Sequence, residues 1–377
     1  MGIQDLYVAI KRLAPEQIVT YHLSEFQGYC FAIDISIFLY KYIRSAGPYG
    51  WMNAFILLLC TLKKYGIKAV CIFDGPNPPE EKRGEQQRRR EENKKAIFRL
   101  EEAKRLKEKI QDKYLFVDTP LPEKLASQVK VISGKSPVNI YDSGDVVDFL
   151  NTLIEKLEKQ TLPITDDYRI EATKMVEMMG LCAIRADGEA EGLCAYLAVK
   201  GIVDAVLTED TDVLAYGTPL MLAFKDGKLS EQRVVGIHLP NLLESMEMTF
   251  PSFRDLCILL SCDYNSRVKG YPPDGRNRKK PVSIGVTGAI AMIQEYHSLE
   301  TSSKYIDDVE PLKYERCREL FSVEPLAKQI PNGAVPLNKP PKFEELEKYI
   351  NEKGISINIS FVKECWKPTE IVFEDDD

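Results

Sequence analysis

Histidine is nearly absent: His22, His238 and His297 are the only three in 377 residues. None lies near a cysteine or serine motif, so a histidine-dependent nucleophilic triad or a histidine-rich zinc site finds no support. The nine cysteines are odd in number, scattered, and never in CxxC spacing. That argues for core thiols of a reducing compartment over a disulfide framework or a zinc site. Basic excess is missing too, because the net charge is −7. Long apolar runs are lacking: Ala54–Cys60, AFILLLC, falls far below the roughly 20 residues that span a bilayer and reads as a buried helix. The N-terminal MGIQDLYVAIKRLAPEQ carries charges where a signal peptide has its apolar centre, and Leu6 stands where a myristoylation motif needs Ser or Thr. A soluble, intracellular protein without a membrane partner is expected.

What the chain does have is acid in particular places. LTEDTDVLAYG, from Leu207 to Gly217, follows an apolar run with Glu209, Asp210 and Asp212 and resumes at once with Val213 and Leu214. Strand-like runs alternate with helical ones, which predicts a parallel sheet in an α/β domain. Cys30–Asp34 ends on a carboxylate before a helical run through Arg44. Ala69–Asp74 repeats the arrangement, ending in Asp74 and Gly75. Leu181–Arg185 is followed by Gly188–Gly192, GEAEG, opening a helix to Lys200, and Asp204–Leu207 delivers Asp210 and Asp212. In an open parallel sheet the ligand site lies beyond the carboxyl ends of the strands.

Any one of these acids has an ordinary explanation as a helix cap or turn former, and Glu189 and Glu191 also suit a helix N-terminus. Four strand ends bringing acid to one edge do not. Converging carboxylates cannot all stay ionised without cations, and oxygen ligands without His or Cys select Mg²⁺ or Mn²⁺. Two such ions about 4 Å apart can activate a water and neutralise a leaving oxygen, which is phosphodiester hydrolysis.

MGIQDLY at the N-terminus, FAIDIS around Asp34, CIFDG around Asp74, DGEAEG, TEDTDVLAYG and DLCILLSCDYN around Asp263 resemble, in order and spacing, the motif set of the flap endonucleases and other XPG-type structure-specific 5′-nucleases. The likeness runs over residues 1–365 and includes FEELEKYINEKGISINISFV near the end. It implies a PIN-like nuclease core, with a mostly parallel central sheet between helices, a helical arch and a C-terminal helix-two-turn-helix region. The implied division is a nuclease region over 1–117 with its arch at 80–113, a cap insertion over 118–165, a second nuclease region over 166–262, and a DNA-binding region over 263–377. The resemblance also implies a two-metal site of Asp34, Asp74, Glu189, Glu191, Asp210, Asp212 and Asp263; the last of these comes from the resemblance alone.

Glu80 to Lys113 holds thirteen Lys/Arg and nine Asp/Glu, net +4 in a chain of −7. Ile97, Leu100, Ala103, Leu106 and Ile110 form a narrow apolar stripe at helical spacing. The segment reads as a solvated helix stitched by pairs such as Glu91–Lys95 and Glu101–Arg105, or, by the resemblance, as the arch that takes a single-stranded 5′ end. NPPEEKRGEQQRR then gives Lys82 and Arg89 the places of two catalytic cations, with Arg88 and Arg90 as neighbours. Thr119 to Lys159 departs from the compact pattern: prolines and glycines break it into loop and short pieces before a helix from Asp145 to Lys159.

At the helix-two-turn-helix turn, Ser283–Ala289 keeps its glycines, but Val286, Thr287 and Gly288 replace the family's Pro-Lys-Arg. The insertion ahead of it, Arg267 to Pro281, has six basic residues against Asp274, net +5. It reads as a solvated loop or as a restoration of the lost cations through Arg276, Arg278, Lys279 and Lys280. Taking both basic segments from the total leaves −16 for everything else, so positive charge is concentrated where the family touches DNA. Further DNA contacts implied are Gly2, Tyr40, Arg44, Ser283, Gly285 and Gly288, with K⁺ as a ligand of the turn.

The expectation is a monomeric, Mg²⁺-dependent nuclease with 5′→3′ exonuclease activity, acting on branched DNA (a 5′-flap, nick or junction) in replication, repair or recombination. Alternatives are a preference for bubbles, Holliday junctions or RNA, or a catalytically silent DNA-binding relative. Clamp recruitment lacks a sequence motif, and either a nucleus or a cytoplasmic replication site fits.

Overall fold

The computed structural model describes residues 2–114, 121–133, 142–273, 279–337 and 339–367. The predicted contacts Arg276 and Arg278 lie outside these residues. The chain forms two compact units: Met1–Leu39, Met52–Lys82 and Asp166–Asp377 make the first, Tyr40–Trp51 and Arg83–Thr165 the second.

A seven-stranded sheet organises the first unit. Its strands are β1 (Val19–His22), β2 (Cys30–Asp34), β3 (Lys68–Phe73), β4 (Cys182–Arg185), β5 (Ala205–Leu207), β6 (Leu220–Phe224) and β7 (Arg233–His238), in the order β1-β7-β6-β5-β2-β3-β4. From β4 to β6 all pairings are parallel, and β7 and β1 add antiparallel partners at one side. β2 is buried at all five positions, as a central parallel strand covered on both faces must be, which explains its unbroken apolar run. The chain leaves β2 toward β3 and β4 and then returns to place β5 on β2's other side. The resulting switch point lies between Asp34 and the residues after Leu207. The predicted mostly parallel sheet is the one observed; β1, β6 and β7 were not among the four strands read from sequence.

The helices used below are α1 (Leu6–Leu13), α2 (Ile35–Lys64), α3 (Arg83–Tyr114), α4 (Glu123–Ser133), α5 (Ser143–Thr161), α6 (Asp166–Met178), α7 (Ala190–Val199), α8 (Asp212–Ala215), α9 (Leu239–Ser245), α10 (Phe250–Leu260) and α11 (Val286–Tyr296). Apolar side chains of α1, α7, α10 and α11 join the sheet in one core, including Leu6, Ile10, Val70, Leu197, Leu256 and Ile293. All nine cysteines are free and buried. Among the described residues no helix is long and apolar enough to cross a membrane.

The second unit has its own core, in which Ala103, Leu106 and Ile110 of α3 meet Leu125 and Val129 of α4 and Val147 and Leu150 of α5. The narrow stripe on α3 is therefore a packing face at its C-terminal half, while Ile97 is exposed. The sequence reading of 119–159 as loop and short pieces before Asp145 is corrected by α4. Pro122 stands before that helix and its carbonyl accepts from the Leu125 and Ala126 N–H groups, so the proline precedes the first turn and does not interrupt it. Of the helical ion pairs, the structure shows Arg105 with Glu102 at 3.6 Å, an i,i+3 pair instead of the expected Glu101 one.

Candidate active site

The acids arrive at one edge because each closes a strand or opens the helix that follows it. Asp34 is the last residue of β2 and stands at the N-cap position of α2, where its side chain makes no capping hydrogen bond and is left to face the site. Asp74 follows β3; its N–H donates to Ser36 Oγ at 3.1 Å, and its Oδ1 accepts the Ala190 N–H at 2.9 Å. Gly75 donates to the Gly188 carbonyl at 2.6 Å, which ties the end of β3 to the start of α7 and so to Glu189 and Glu191. Thr208, fully buried, donates through Oγ1 to Asp34 Oδ2 at 3.2 Å and accepts the Asp210 N–H at 3.1 Å. Asp210 Oδ1 in turn accepts the Asp212 N–H at 3.0 Å. Gly2 lies against this turn with φ +90, and a Cβ there would fall 2.0 Å from Asp210 Oδ1.

The electrostatics show how closely the acids converge. Burial, then Asp74 and Asp210, push the Asp34 carboxyl up to about 8. Burial also raises Glu189, with Asp74 adding to it, and raises Glu191 well above its ordinary value, with Glu189, Asp210 and Asp212 adding to it. Asp210 is raised by burial and by Asp263, and Asp212 far more, by burial, Asp210 and Asp263. All seven predicted acids therefore belong to one mutually repelling cluster.

Lys82, at the end of a short 3₁₀ turn, reaches into that cluster. Its ammonium pairs with Glu189 and lies 3.3 Å from Asp263 Oδ2 and 3.6 Å from Glu191 Oε1. Burial opposes its charge, but Glu191, Glu189 and Asp263 outweigh burial and raise its pKa. Among the described residues no three His, Cys, Asp or Glu side chains close on a point with metal-ligating geometry. The donor set nonetheless fits hard cations: Asp34 Oδ1 and both carboxylate oxygens of Asp212 are buried with no hydrogen-bond partner among the described residues.

Tyr264 was missed from sequence although it directly follows Asp263. Its hydroxyl donates to Glu189 Oε2 at 2.7 Å, lies 3.4 Å from Glu191 Oε1 and 3.2 Å from the Tyr216 hydroxyl. Its ring lies 5.8 Å below the Lys82 ammonium. Thr208 was missed as well; its sign was its place between the strand and the first of the three acids.

The other predicted residues lie elsewhere. Arg88 and Arg89 share Glu85, with Nε to carboxylate distances of 2.7 and 2.6 Å, and Arg90 is exposed on the same helix α3. Arg44 stacks over the Tyr40 ring, 5.7 Å from its centroid. Those residues belong to the second unit. In the first unit, Lys269–Gly270 (β8) and Val282–Ser283 (β9) form a two-stranded hairpin leading into the Gly285 turn, where Lys279, Lys280 and Ser283 are exposed and Gly288 is buried. Of the loop expected over 267–281, Lys269–Gly270 is strand, and residues 274–278 lie outside the described residues.

Comparison with known proteins agrees with this geometry. Residues 1–96 match the XPG N-terminal domain and residues 180–263 the XPG I-region. Flap endonuclease 1 of Drosophila mojavensis is 32% identical over 344 residues, 86% of this chain and 74% of that protein. Flap endonuclease 1 of Entamoeba histolytica is 28% identical over 386 residues, 96% of this chain and 88% of that protein. The catalytic core of Rad2 in complex with DNA substrate shares the fold with a TM-score of 0.61 at 17% identity, covering 97% of this chain and 98% of that one. The chain is a nuclease of the XPG family, to which the flap endonucleases belong.

Proposed function

We propose that this nuclease is a Mg²⁺- or Mn²⁺-dependent, structure-specific 5′-nuclease that hydrolyses DNA phosphodiesters at 5′-flap or nicked junctions, with 5′→3′ exonuclease activity. The observation that carries the reading is the convergence of seven acids, with buried oxygens on Asp34 and Asp212 that lack a hydrogen-bond partner among the described residues and with Lys82 among them. Asp34, Asp74, Glu189, Glu191, Asp210, Asp212 and Asp263 would hold two divalent ions. When bound, such ions polarise the attacked phosphate and its water and neutralise the leaving oxygen.

The chain's own residues do the remaining work. Thr208 and the Asp210–Asp212 turn fix the carboxylates between β5 and α8. Tyr264, with its hydroxyl on Glu189, orients that acid, and burial of both tyrosine hydroxyls keeps them protonated. Lys82 would place a positive charge where negative charge accumulates on the phosphate, and the family resemblance gives Arg89 the place of a second such cation. The second unit, with its basic helix α3, would take the single-stranded 5′ end, and the region after Asp263 the duplex, with K⁺ at the glycine turn. The protein would act as a monomer on branched DNA.

Cleavage of a labelled 5′-flap, beside blunt duplex, four-way junction and single strand, tests the reading. The flap should be cut only with Mg²⁺ or Mn²⁺. Asp210→Ala and Glu189→Ala should each abolish cleavage while leaving flap binding largely intact, because the ligands serve chemistry and basic segments supply most of the phosphate attraction. Near wild-type cutting by either variant at saturating Mg²⁺ would remove the metal-cage assignment. Preferential cutting of the junction would move the substrate reading to that alternative.

A further inference from the structure

The glycine turn ahead of α11 has no cation of its own, since Val286, Thr287 and Gly288 open that helix. One reaches it from the far end of the chain. Arg12, in the last turn of α1, is exposed, and its Nη1 donates to Thr287 Oγ1 at 2.7 Å. A guanidinium carries five N–H donors in a fixed fork, and this bond occupies one of them, so the group is aimed but not saturated.

The surroundings are those of an approach path. Arg12 and Thr287 line a cavity of about 410 Å³ together with Asp5, Pro272, Ser283 and Gly285. Asp5, the carboxylate that would repel an anion there, is paired with Arg267 at 3.0 Å. Gly285 has φ −95 and ψ −172, ordinary extended backbone, and a Cβ placed on it would meet nothing within 4 Å. Neither conformation nor packing calls for glycine at that position, whereas a ligand approaching the main chain would. Lys279 and Lys280 stand exposed just ahead of the same turn.

We propose that Arg12, braced on Thr287, grips a phosphodiester of duplex DNA at the Gly285 turn and supplies the charge which the turn's own sequence lacks. The inference rests on the nuclease reading above and adds a binding residue to it. A guanidinium fork suits phosphate oxygens in particular, because two parallel N–H groups match two of them. Bracing on Thr287 reduces the side-chain freedom lost when that contact forms.

Equilibrium binding in chelator, where no cleavage occurs, tests it with blunt duplex and single-stranded DNA across a salt series. Arg12→Gln removes the charge while keeping a polar, hydrogen-bonding side chain. It should bind duplex about tenfold more weakly at low salt and reduce the slope of log affinity against log salt by about 0.9, the value of one lost phosphate contact. Single-strand binding should be unchanged. Arg12→Lys should keep the slope, and Thr287→Val should weaken duplex binding by less than Arg12→Gln and add nothing to it in the double variant. Wild-type duplex affinity and slope in Arg12→Gln overturn the proposal. So does an equal loss on single strand, or loss of slope in Arg12→Lys as well, which would point to α1 packing. A wild-type protein that cuts no flap would defeat the proposed flap-cleaving function and leave this duplex comparison readable; a cutting enzyme whose Arg12→Gln variant binds normally would defeat this inference alone.

Discussion

Lys82 is a cation set directly among the acids. Its ammonium lies among Glu189, Glu191 and Asp263, so Lys82→Ala removes a positive charge from among three crowded carboxylates. In chelator this variant should unfold at lower urea concentration than wild type, and Mg²⁺ should stabilise it by a larger increment, because a ligand that binds the native state gains most where native charge is least compensated. In single-turnover cleavage the same variant should lose a few orders of magnitude, about 3–4 kcal/mol for a lost transition-state contact, with a smaller change in affinity. Arg89→Ala should behave alike in rate. It should not share the Mg²⁺-dependent stability effect, because it pairs with Glu85 on its own helix and is not among the residues that shift Glu189, Glu191 and Asp212. A Lys82→Ala protein whose saturated rate is normal and whose affinity falls would be missing only a binding contact. Lys82 and the seven acids were legible as types at motif positions. Tyr264 was not, because a tyrosine hydroxyl acquires a role only once the fold brings Glu189 to it.

At the scale of elements, α3 does two jobs along its length. Its first half carries Arg88, Arg89 and Arg90 toward solvent, and its second half buries Ala103, Leu106 and Ile110 against α4 and α5. Ile110 is fully buried, so Ile110→Ala should cost about 2–4 kcal/mol, felt by the second unit first. Hydrogen exchange should show faster opening of α3, α4 and α5 with little change in β2, β3 and β5. Equal acceleration in the sheet would mean that the two units unfold together. The stripe on α3 was visible in sequence as helical periodicity. Its partner α4 was not, since Pro122 and the surrounding breakers mask a helix whose Leu125, Ala126 and Val129 find their burial only against α3 and α5.

For the whole molecule, charge is the organising quantity. A chain of −7 keeps net +4 in 80–113 and net +5 in 267–281. Association with duplex should therefore be local and steeply dependent on salt, not a general attraction to polyanions. Neutralising Arg276, Arg278, Lys279 and Lys280 together should weaken duplex binding and flatten the salt dependence by up to about 0.9 per lost phosphate contact, with much less change on single strand. Unchanged duplex affinity and slope would make the insertion an ordinary solvated loop and leave duplex grip to the turn around Gly285 and to Arg12.

Local sequence determined the parallel strands that end in acid, the buried thiols and the basic segments, because each is written in neighbouring residues: an apolar run, a carboxylate, a turn. Tertiary structure decided what those pieces do together. Strand order brings β5 beside β2, so Asp210 meets Asp34 across a switch point that no local pattern encodes. The same long-range packing sets Gly2 against Asp210, Tyr264 against Glu189 and, over 275 positions, Arg12 on Thr287. Contacts between residues so far apart depend on how α1, α10 and α11 pack into one core, and that packing is a property of the folded chain, not of any stretch of it.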